Sequence, residues 1–250
     1  MPATRDVASL ALAEGPCAPV RMVLRMTYLV GLFAACAACA FPVEGEFSTR
    51  RLTERDPSRT ILIIFNHGYA RDRAGTFKAS FPPILRMAEA QNDDVILFAQ
   101  VRNTVSLHSV DHGSFIESAV KVFHTQHRIP IENIILVGQS CGGWGSLQTA
   151  AFAYPRIGGV IAFAPTCHGR LAQQSTETKA RRYQEIGQLA QRLRSAALIF
   201  LFEGDYYYEL ADWKEFEAKV VPDPQVRVVK LNKQAVLQAC PSCDRDSHGI

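Results

Sequence analysis

The chain has 250 residues, 48% of them hydrophobic, and a formal net charge of +3. This length allows a single domain with a large core that needs no disulfides to hold it together. The small net charge, without any long run of basic residues, gives no support to nucleic-acid binding. The sequence has neither an internal repeat nor a low-complexity tract, so a repeat architecture is not expected.

The first forty residues contain the pattern of a secretory signal. Arg21 and Arg25 precede an apolar run over 26–40 that becomes rich in small residues. In such a signal the positive charge stays in the cytoplasm, the apolar run enters the membrane and small side chains fit the peptidase. We therefore expect a leader over 1–40 and an exported mature domain over 41–250, in the periplasm or outside the cell. A retained lipid or helix anchor is the alternative, but the apolar run is shorter than the roughly 20 residues of a membrane-spanning helix.

Strand-like and helix-like segments alternate after the leader. Short runs rich in Ile, Val, Leu or Phe predict strands at 60–68, 94–101, 133–139, 158–165, 196–204 and 226–231. Amphipathic segments between them predict helices at 81–91, 114–128, 142–154, 177–194 and 211–220. Continuous apolarity indicates strands that are covered on both faces. The alternation therefore predicts an α/β domain with an open, mostly parallel sheet, and 46–52 is a candidate edge strand.

The segment Gly138-Gln139-Ser140-Cys141-Gly142 matches the pattern G-x-S-x-G. It follows a buried-type strand and opens a predicted helix, which is the context of a nucleophile elbow. The serine of such a turn has a strained backbone, and the flanking glycines let neighbouring backbone approach closely. We therefore predict that Ser140 is a catalytic nucleophile. The alternative is a tight turn in which Ser140 only caps the helix.

A nucleophilic serine needs a base, and the base needs an orienting acid. With an elbow of this kind the chain order is serine, acid, histidine. His248 is the only histidine after Asp205, and Asp205 ends a predicted strand at the sheet edge where catalytic groups project. We therefore predict His248 as the base and Asp205 as the acid. The alternatives are a frayed tail at His248, a capping role for Asp205, and Glu203 as a rival acid.

The predicted oxyanion donors are the backbone N–H groups of Cys141 and Tyr69. Two preorganised donors are needed to stabilise the charge that develops on the carbonyl oxygen. Cys141 follows the nucleophile directly, and Tyr69 follows a turn at His67-Gly68 that can aim its N–H, or that of Gly68, into the site. We expect the His67 side chain to fix this loop. We also expect Asp111 to cap the helix predicted from 114, without a chemical role.

Four cysteines lie outside the leader, namely Cys141, Cys167, Cys240 and Cys243. In an oxidising compartment they permit two disulfides, with three possible connectivities. We favour Cys240–Cys243, which would stiffen the loop that presents His248, and treat Cys141–Cys167 as the second pairing. A single C-x-x-C provides only half of a usual zinc site, so no metal site is predicted.

The segments NHGY, GQSCGGWGSL, FEGD and the terminal SHG resemble the α/β-hydrolase superfamily. The nearest likeness is to small bacterial esterases of the dienelactone-hydrolase-like kind. The resemblance implies a mostly parallel sheet of about eight strands with helices on both faces. It also implies hydrolysis through an acyl-enzyme, with no cofactor.

The expected partner is a small-molecule ester substrate, and the expected reaction is hydrolysis of a carboxylic ester by a serine hydrolase. Contact with a membrane is expected only through the leader or a lipid anchor, and the sequence does not predict an oligomeric state. Two alternatives keep the same fold. One is a serine peptidase or amidase, and the other is a binding protein without catalytic activity.

Overall fold

The structure is a computed structural model that describes residues 43–69, 80–102, 109–220 and 225–249. The leader predicted over 1–40 lies outside these ranges. The strands of the described chain are β1 (Glu44–Phe47), β2 (Ile61–Asn66), β3 (Val95–Val101), β4 (Ile134–Gln139), β5 (Gly159–Phe163), β6 (Ala197–Phe202) and β7 (Val226–Leu231). The α-helices are α1 (Pro83–Gln91), α2 (Ser109–Thr125), α3 (Cys141–Gln148), α4 (Thr176–Arg192), α5 (Lys214–Val220) and α6 (Lys233–Ala239). Within these ranges we find no helix whose length and apolarity would let it cross a membrane.

The described strands form one sheet in the order β1-β3-β2-β4-β5-β6-β7. β1 pairs antiparallel with β3, and every other neighbouring pair is parallel. The sheet therefore has the mostly parallel form predicted, with seven strands in the described chain where about eight were expected. After β2 the chain first adds β3 on one side of it and then β4 to β7 on the other side. The carboxyl ends of β2 and β4 therefore flank a topological switch point. Open α/β sheets bind their ligands at such a crevice.

Both faces of the sheet are covered, as the continuous apolarity of the strands predicts. Side chains alternate along each strand, so Leu62 and Ile64 point to one face and Ile63 and Phe65 to the other. The first pair belongs to a large hydrophobic cluster shared with α2, α3, α4 and α5. The second pair belongs to a smaller cluster that includes Leu85 of α1.

Two helices differ from the prediction. α2 begins at Ser109, so Asp111 lies inside the helix and does not cap it. The prediction missed this start because the helix runs through Gly113, where α3 approaches closely: a Cβ on Gly145 would lie 3.2 Å from the Gly113 nitrogen. α6 was not predicted, because Val236 is its only buried residue and leaves no amphipathic stripe to detect.

Candidate active site

Ser140 occupies a strained turn between β4 and α3. Its backbone angles are φ 55° and ψ −127°, a conformation that residues other than glycine rarely adopt. The turn is held from both sides, because the Ser140 N–H donates to Phe163 O (2.9 Å) and the Ser140 carbonyl accepts from the Trp144 N–H (2.9 Å). Its side chain makes no capping hydrogen bond to α3. The geometry is therefore that of a nucleophile elbow, and not that of a serine cap.

Gly142, two residues after Ser140, explains how the elbow fits against the sheet. A Cβ on Gly142 would overlap the backbone carbonyls of Asn66 and His67, where β2 ends. The first turn of α3 therefore lies directly against the loop that follows β2. This close approach brings the residues after β2 to the side of Ser140.

Ser140, His248 and Asp205 form a continuous row of hydrogen bonds. His248 Nε2 lies 2.8 Å from Ser140 Oγ, and His248 Nδ1 lies 2.7 Å from Asp205 Oδ2. A carboxylate only accepts, so Nδ1 donates to Asp205 and the Nε2 of the neutral ring accepts from the Ser140 hydroxyl. The Asp205 side chain is fully buried, whereas that of His248 is 12% exposed. This arrangement allows His248 to remove the proton of Ser140.

The turn after β6 orients the Asp205 carboxylate. Gly204 has φ 80°, a backbone conformation that favours glycine, and Asp205 follows it. Asp205 Oδ1 accepts the Tyr207 N–H at 2.7 Å, which leaves Oδ2 for the histidine. Burial and then the negative charge of Asp205 raise the pKa of Tyr208, so its hydroxyl stays protonated beside this carboxylate. The same hydroxyl oxygen accepts the Phe202 N–H at 2.8 Å and ties the turn to β6.

The rival acid, Glu203, lies outside this hydrogen-bonded row. It is exposed, it follows the last residue of β6, and its carboxylate accepts the Lys233 N–H at 2.7 Å. His168, the other histidine after Ser140, is buried and its Nε2 lies 3.2 Å from Glu185 Oε2. Glu203 and His168 each have a hydrogen-bond partner outside the row formed by Ser140, His248 and Asp205.

His248 belongs to a short 3-10 helix, Ser247–Gly249, and not to a frayed tail. Its carbonyl accepts from Gln139 Nε2 at 2.9 Å, which joins the loop to the end of β4. Ser247 Oγ accepts from Lys233 Nζ at 2.9 Å, and Lys233 Nζ also donates to the Cys243 carbonyl at 2.7 Å. The loop is therefore fixed by hydrogen bonds at the histidine itself and at residues before it.

Tyr207 and Arg182 support the histidine, a role that the sequence does not predict for either residue. The Tyr207 ring stacks on the His248 ring with a centroid distance of 4.1 Å. Arg182 donates to the Tyr207 carbonyl (3.1 Å) and forms a buried ion pair with Asp212 (2.8 Å). One signal was available for Arg182, because it lies four residues before the buried Ile186 on the inner stripe of α4.

The loop after β2 is fixed by His67, as expected from the sequence. His67 Nδ1 donates to the Gly68 carbonyl at 2.6 Å, and the Arg102 N–H donates to His67 Nε2 at 3.4 Å. The Arg102 guanidinium also donates to the His67 carbonyl. A Cβ on Gly68 would lie 2.9 Å from Ser140 Cβ, so the loop passes directly over the serine. Tyr69, the next residue, is partly exposed and lines a cavity together with Ser140.

The cavity at Ser140 has a volume of about 140 Å³. It lies at the carboxyl ends of the strands, and its lining residues are Tyr69, Gln139, Ser140, Cys141, Thr166, Cys167, His168, Gly169, Tyr207 and His248. A wider depression of about 380 Å³ lies at the amino ends of β2 and β3 and is lined only by charged residues, including the exposed ion pair Arg59–Asp94. The smaller cavity is the one that holds chemically reactive groups.

Both disulfides considered from the sequence are present, Cys141–Cys167 and Cys240–Cys243. The first lies in the wall of the cavity, and His112 lies beside it with all potential ligand atoms of the group within 4.8 Å of one another. This is the one such group of three within the described ranges. His112 Nδ1 accepts from Arg102 at 2.9 Å, and the sulfurs are bonded to each other. In the oxidised form the group therefore offers no thiolate to a metal ion.

No protein-family model and no curated protein matches the chain. Solved structures do match its fold, including dipeptidyl peptidase 4 of Porphyromonas gingivalis, with a TM-score of 0.51 and 14% identity over 72% of this chain. The chain spans only 28% of that peptidase. Esterase 2 of Thermogutta terrifontis, phosphonylated by cyclosarin, aligns with a TM-score of 0.51 and 16% identity over 76% of this chain and 78% of its own.

A third match is Est1E of Butyrivibrio proteoclasticus with bound ferulic acid, with a TM-score of 0.51 and 12% identity over 76% of this chain and 86% of its own. Together with the sheet order, these likenesses show that the chain has the α/β-hydrolase fold. They do not distinguish the dienelactone-hydrolase-like subtype, which stays a prediction.

Proposed function

We propose that this protein is a serine hydrolase that cleaves a small carboxylic ester through an acyl-enzyme. The observation that carries the proposal is the row of hydrogen bonds from Ser140 Oγ through His248 to Asp205 Oδ2. A strained serine at an elbow, next to a base that a buried carboxylate orients, is the arrangement needed for nucleophilic catalysis.

In the proposed mechanism, Ser140 Oγ attacks the ester carbonyl carbon while His248 Nε2 accepts its proton. Asp205 remains ionised and stabilises the imidazolium that forms. The N–H groups of Cys141 and Tyr69 stabilise the negative charge on the tetrahedral intermediate. His248 then gives the proton to the leaving alcohol, and an acyl group stays on Ser140. Water, deprotonated by His248, attacks this acyl-enzyme; the bond to Ser140 Oγ then breaks, His248 returns the proton to Ser140 Oγ, and the acid is released.

The size of the cavity supports a small substrate. Its volume of about 140 Å³ is well below the roughly 300–1,000 Å³ of sites that take drug-sized ligands. We expect turnover of p-nitrophenyl acetate and butyrate to exceed that of the octanoate ester. Equal or higher turnover of the octanoate would contradict a small acyl site.

Replacing the nucleophile tests the central proposal. We expect Ser140→Ala to lower kcat/KM for p-nitrophenyl acetate by at least about 10³-fold, because the acyl-enzyme cannot form. The variant is also expected to lose labelling by a fluorophosphonate probe. Ser242→Ala, at an exposed serine, is the control and keeps both properties. Turnover retained by Ser140→Ala would refute the proposed nucleophile.

A serine peptidase is the second candidate, since matching structures include the dipeptidyl peptidase and a puromycin-hydrolysing peptidase of Mycobacterium tuberculosis, of which the chain spans 31%. A panel of p-nitrophenyl esters and aminoacyl p-nitroanilides separates the two activities. We expect the esters to be hydrolysed faster. A binding protein without activity would leave the fluorophosphonate probe unreacted in the intact protein.

We also propose that the domain is exported. Two disulfides in a chain of this size support an oxidising compartment. Expression of the full chain in a bacterium, followed by fractionation and N-terminal sequencing, tests this. The expected product starts near Phe41 in the periplasm or medium, and an uncleaved cytoplasmic product would contradict export.

A further inference from the structure

The first turn of α3 contains almost no side chain that could hold it in place. It reads Cys141-Gly142-Gly143, and the glycines are imposed by the backbone that lies against them. Trp144, the fourth residue, is buried, but among the first three residues Cys141 alone has a side chain that can act as an anchor. That anchor is covalent, because Cys141 is bonded to Cys167.

Cys167 belongs to the loop after β5, which runs beside the nucleophile. Ser140 already contacts this segment at two points, since its N–H donates to Phe163 O (2.9 Å) and its carbonyl accepts the Thr166 N–H (3.4 Å). Both sulfur-bearing residues are almost fully buried, Cys141 at 3% and Cys167 at 2% exposure. The disulfide thus fixes Cys141 against the segment that also holds the serine.

The Cys141–Cys167 bond constrains the backbone N–H of Cys141, which takes part in the proposed chemistry. In Cys141 the Cβ and the backbone nitrogen are attached to the same Cα, so holding the sulfur limits rotation of the peptide unit between Ser140 and Cys141. The N–H of that unit is the proposed oxyanion donor. Donors of this kind are effective because they are aimed before the charge develops and need no reorganisation during the reaction.

We propose, on the basis of the proposed function, that Cys167 is a positioning residue for catalysis. Through its bond to Cys141 it keeps the Cys141 N–H directed at the oxyanion of the tetrahedral intermediate. The charge develops only in the transition state, so the bond contributes to kcat and to the binding of transition-state analogues. Substrate binding in the ground state does not depend on it.

The second disulfide gives a matched control. Cys240–Cys243 joins two residues only three positions apart and lies in the loop that leads to His248. Lys233 Nζ contacts this loop at the Cys243 carbonyl and at Ser247 Oγ, so the loop keeps these hydrogen bonds when the disulfide is absent. Loss of this bond is expected to leave the oxyanion donors in place.

The test compares Cys141→Ala/Cys167→Ala with Cys240→Ala/Cys243→Ala on p-nitrophenyl acetate, at a temperature where circular dichroism shows each variant folded. We expect the first variant to lose about 10- to 100-fold in kcat, with KM changed less than about threefold. Its inhibition constant for a boronic acid, which forms a tetrahedral adduct with the serine, rises by the same factor. The control changes kcat less than about threefold. An unchanged kcat, or a loss confined to KM, in the first variant would overturn the proposal.

Reduction of the wild-type protein provides a second measurement if the first variant does not fold. Treatment with a phosphine reductant, with alkylated thiols counted by mass spectrometry, is expected to open the more exposed Cys240–Cys243 bond first and leave activity intact. Activity then falls in step with opening of Cys141–Cys167. Activity that survives reduction of both bonds, or that disappears with the first, contradicts the proposal.

The experiments can refute the proposed function and the positioning role of Cys167 independently of each other. If Ser140→Ala retains turnover, the nucleophile is wrong whatever the cysteines do. If Ser140→Ala is inactive while Cys141→Ala/Cys167→Ala keeps its kcat, the serine hydrolase stands and the positioning role of Cys167 is refuted.

Discussion

The two halves of the site are held in place by different means. The half with the proposed nucleophile, called the nucleophile half here, comprises Ser140 and Cys141 at the junction of β4 and α3 and the loop of His67 to Tyr69 after β2. It is fixed by backbone hydrogen bonds, by glycines at close contacts and by a buried disulfide. The base half, Asp205 with His248, lies on a turn and a short 3-10 helix. It is fixed mainly by polar side chains: Asp205 Oδ1 accepts the Tyr207 N–H, and Lys233 Nζ donates to Ser247 Oγ.

Backbone packing determines the geometry of the nucleophile half, whereas hydrogen bonds determine the side-chain orientations of the base half. In the nucleophile half there is no room for a different backbone, so the reactive geometry is a consequence of close packing. In the base half the backbone has more freedom, and hydrogen bonds select one orientation of the carboxylate and of the imidazole. Substitutions that add atoms are therefore expected to damage the first half, and substitutions that remove hydrogen bonds to damage the second.

The largest effect is expected from Asp205→Asn, which changes one hydrogen bond and little volume. An amide at this position can donate to His248 Nδ1, which places the ring proton on Nε2 and prevents acceptance of the Ser140 proton. We expect kcat to fall about 10⁴-fold with stability little changed. Asp246→Asn is the control, because its Oδ1 can still accept the N–H groups of Tyr206 and His248 (3.2 and 3.0 Å). A loss of less than tenfold for Asp205→Asn would show that this carboxylate does not orient the base.

Gly142→Ala tests the packing of the nucleophile half. The new methyl group would overlap the carbonyls of Asn66, the last residue of β2, and of His67, which follows it and accepts from the Arg102 guanidinium. We expect the free energy of unfolding in urea to fall by about 3 kcal/mol, together with most of the proposed hydrolase activity.

The matched control for that change is Gly187→Ala, in the middle of α4, where nothing lies within 4 Å of the added methyl group. Alanine there is expected to raise the free energy of unfolding by up to about 1 kcal/mol, because glycine is the weaker helix former. Equal unfolding energies for Gly142→Ala and wild type would contradict the close approach of α3 to the end of β2.

The smallest effect is expected at the Tyr207 ring that stacks on His248. Leucine at this position keeps the backbone N–H to Asp205 but removes the aromatic face, and we expect kcat to fall about fivefold. Tyr207→Phe keeps the ring and is expected to restore kcat to within about twofold of wild type. If phenylalanine is as damaging as leucine, the hydroxyl, which accepts from Arg170 Nε at 3.4 Å, is the important group and not the stack.

Much of the fold can be predicted from local patterns in the sequence. The six long strands were predicted within three residues at either end, because each is a continuous apolar run. β1 was displaced, starting at Glu44 where the candidate strand began at 46, because an edge strand of mixed composition has no such signal. The mostly parallel sheet followed from the alternation of strands and helices.

The site was accessible from the sequence only in part. Ser140, Asp205 and His248 stand out because an elbow pattern and the chain order restrict the choice, and the structure places their side chains in contact. Arg182 and Lys233 could not be assigned in this way. Each contacts the site through a backbone carbonyl or a hydroxyl, and neither kind of contact requires a particular residue type at a particular spacing.

The hydrogen bond from Ser140 N to Phe163 O has a consequence for how the protein loses activity on heating. It joins the ends of the central strands β4 and β5, and such an amide exchanges its hydrogen with solvent only when most of the domain opens. The amides of Ser247 and His248 donate to Gly204 O (3.2 Å) and Asp246 Oδ1 (3.0 Å) and not to a neighbouring strand, so opening of this short 3-10 helix alone releases them. The proposed hydrolase activity is therefore expected to decline at temperatures where the sheet is still intact, so that inactivation reports the opening of a single loop rather than the melting of the fold.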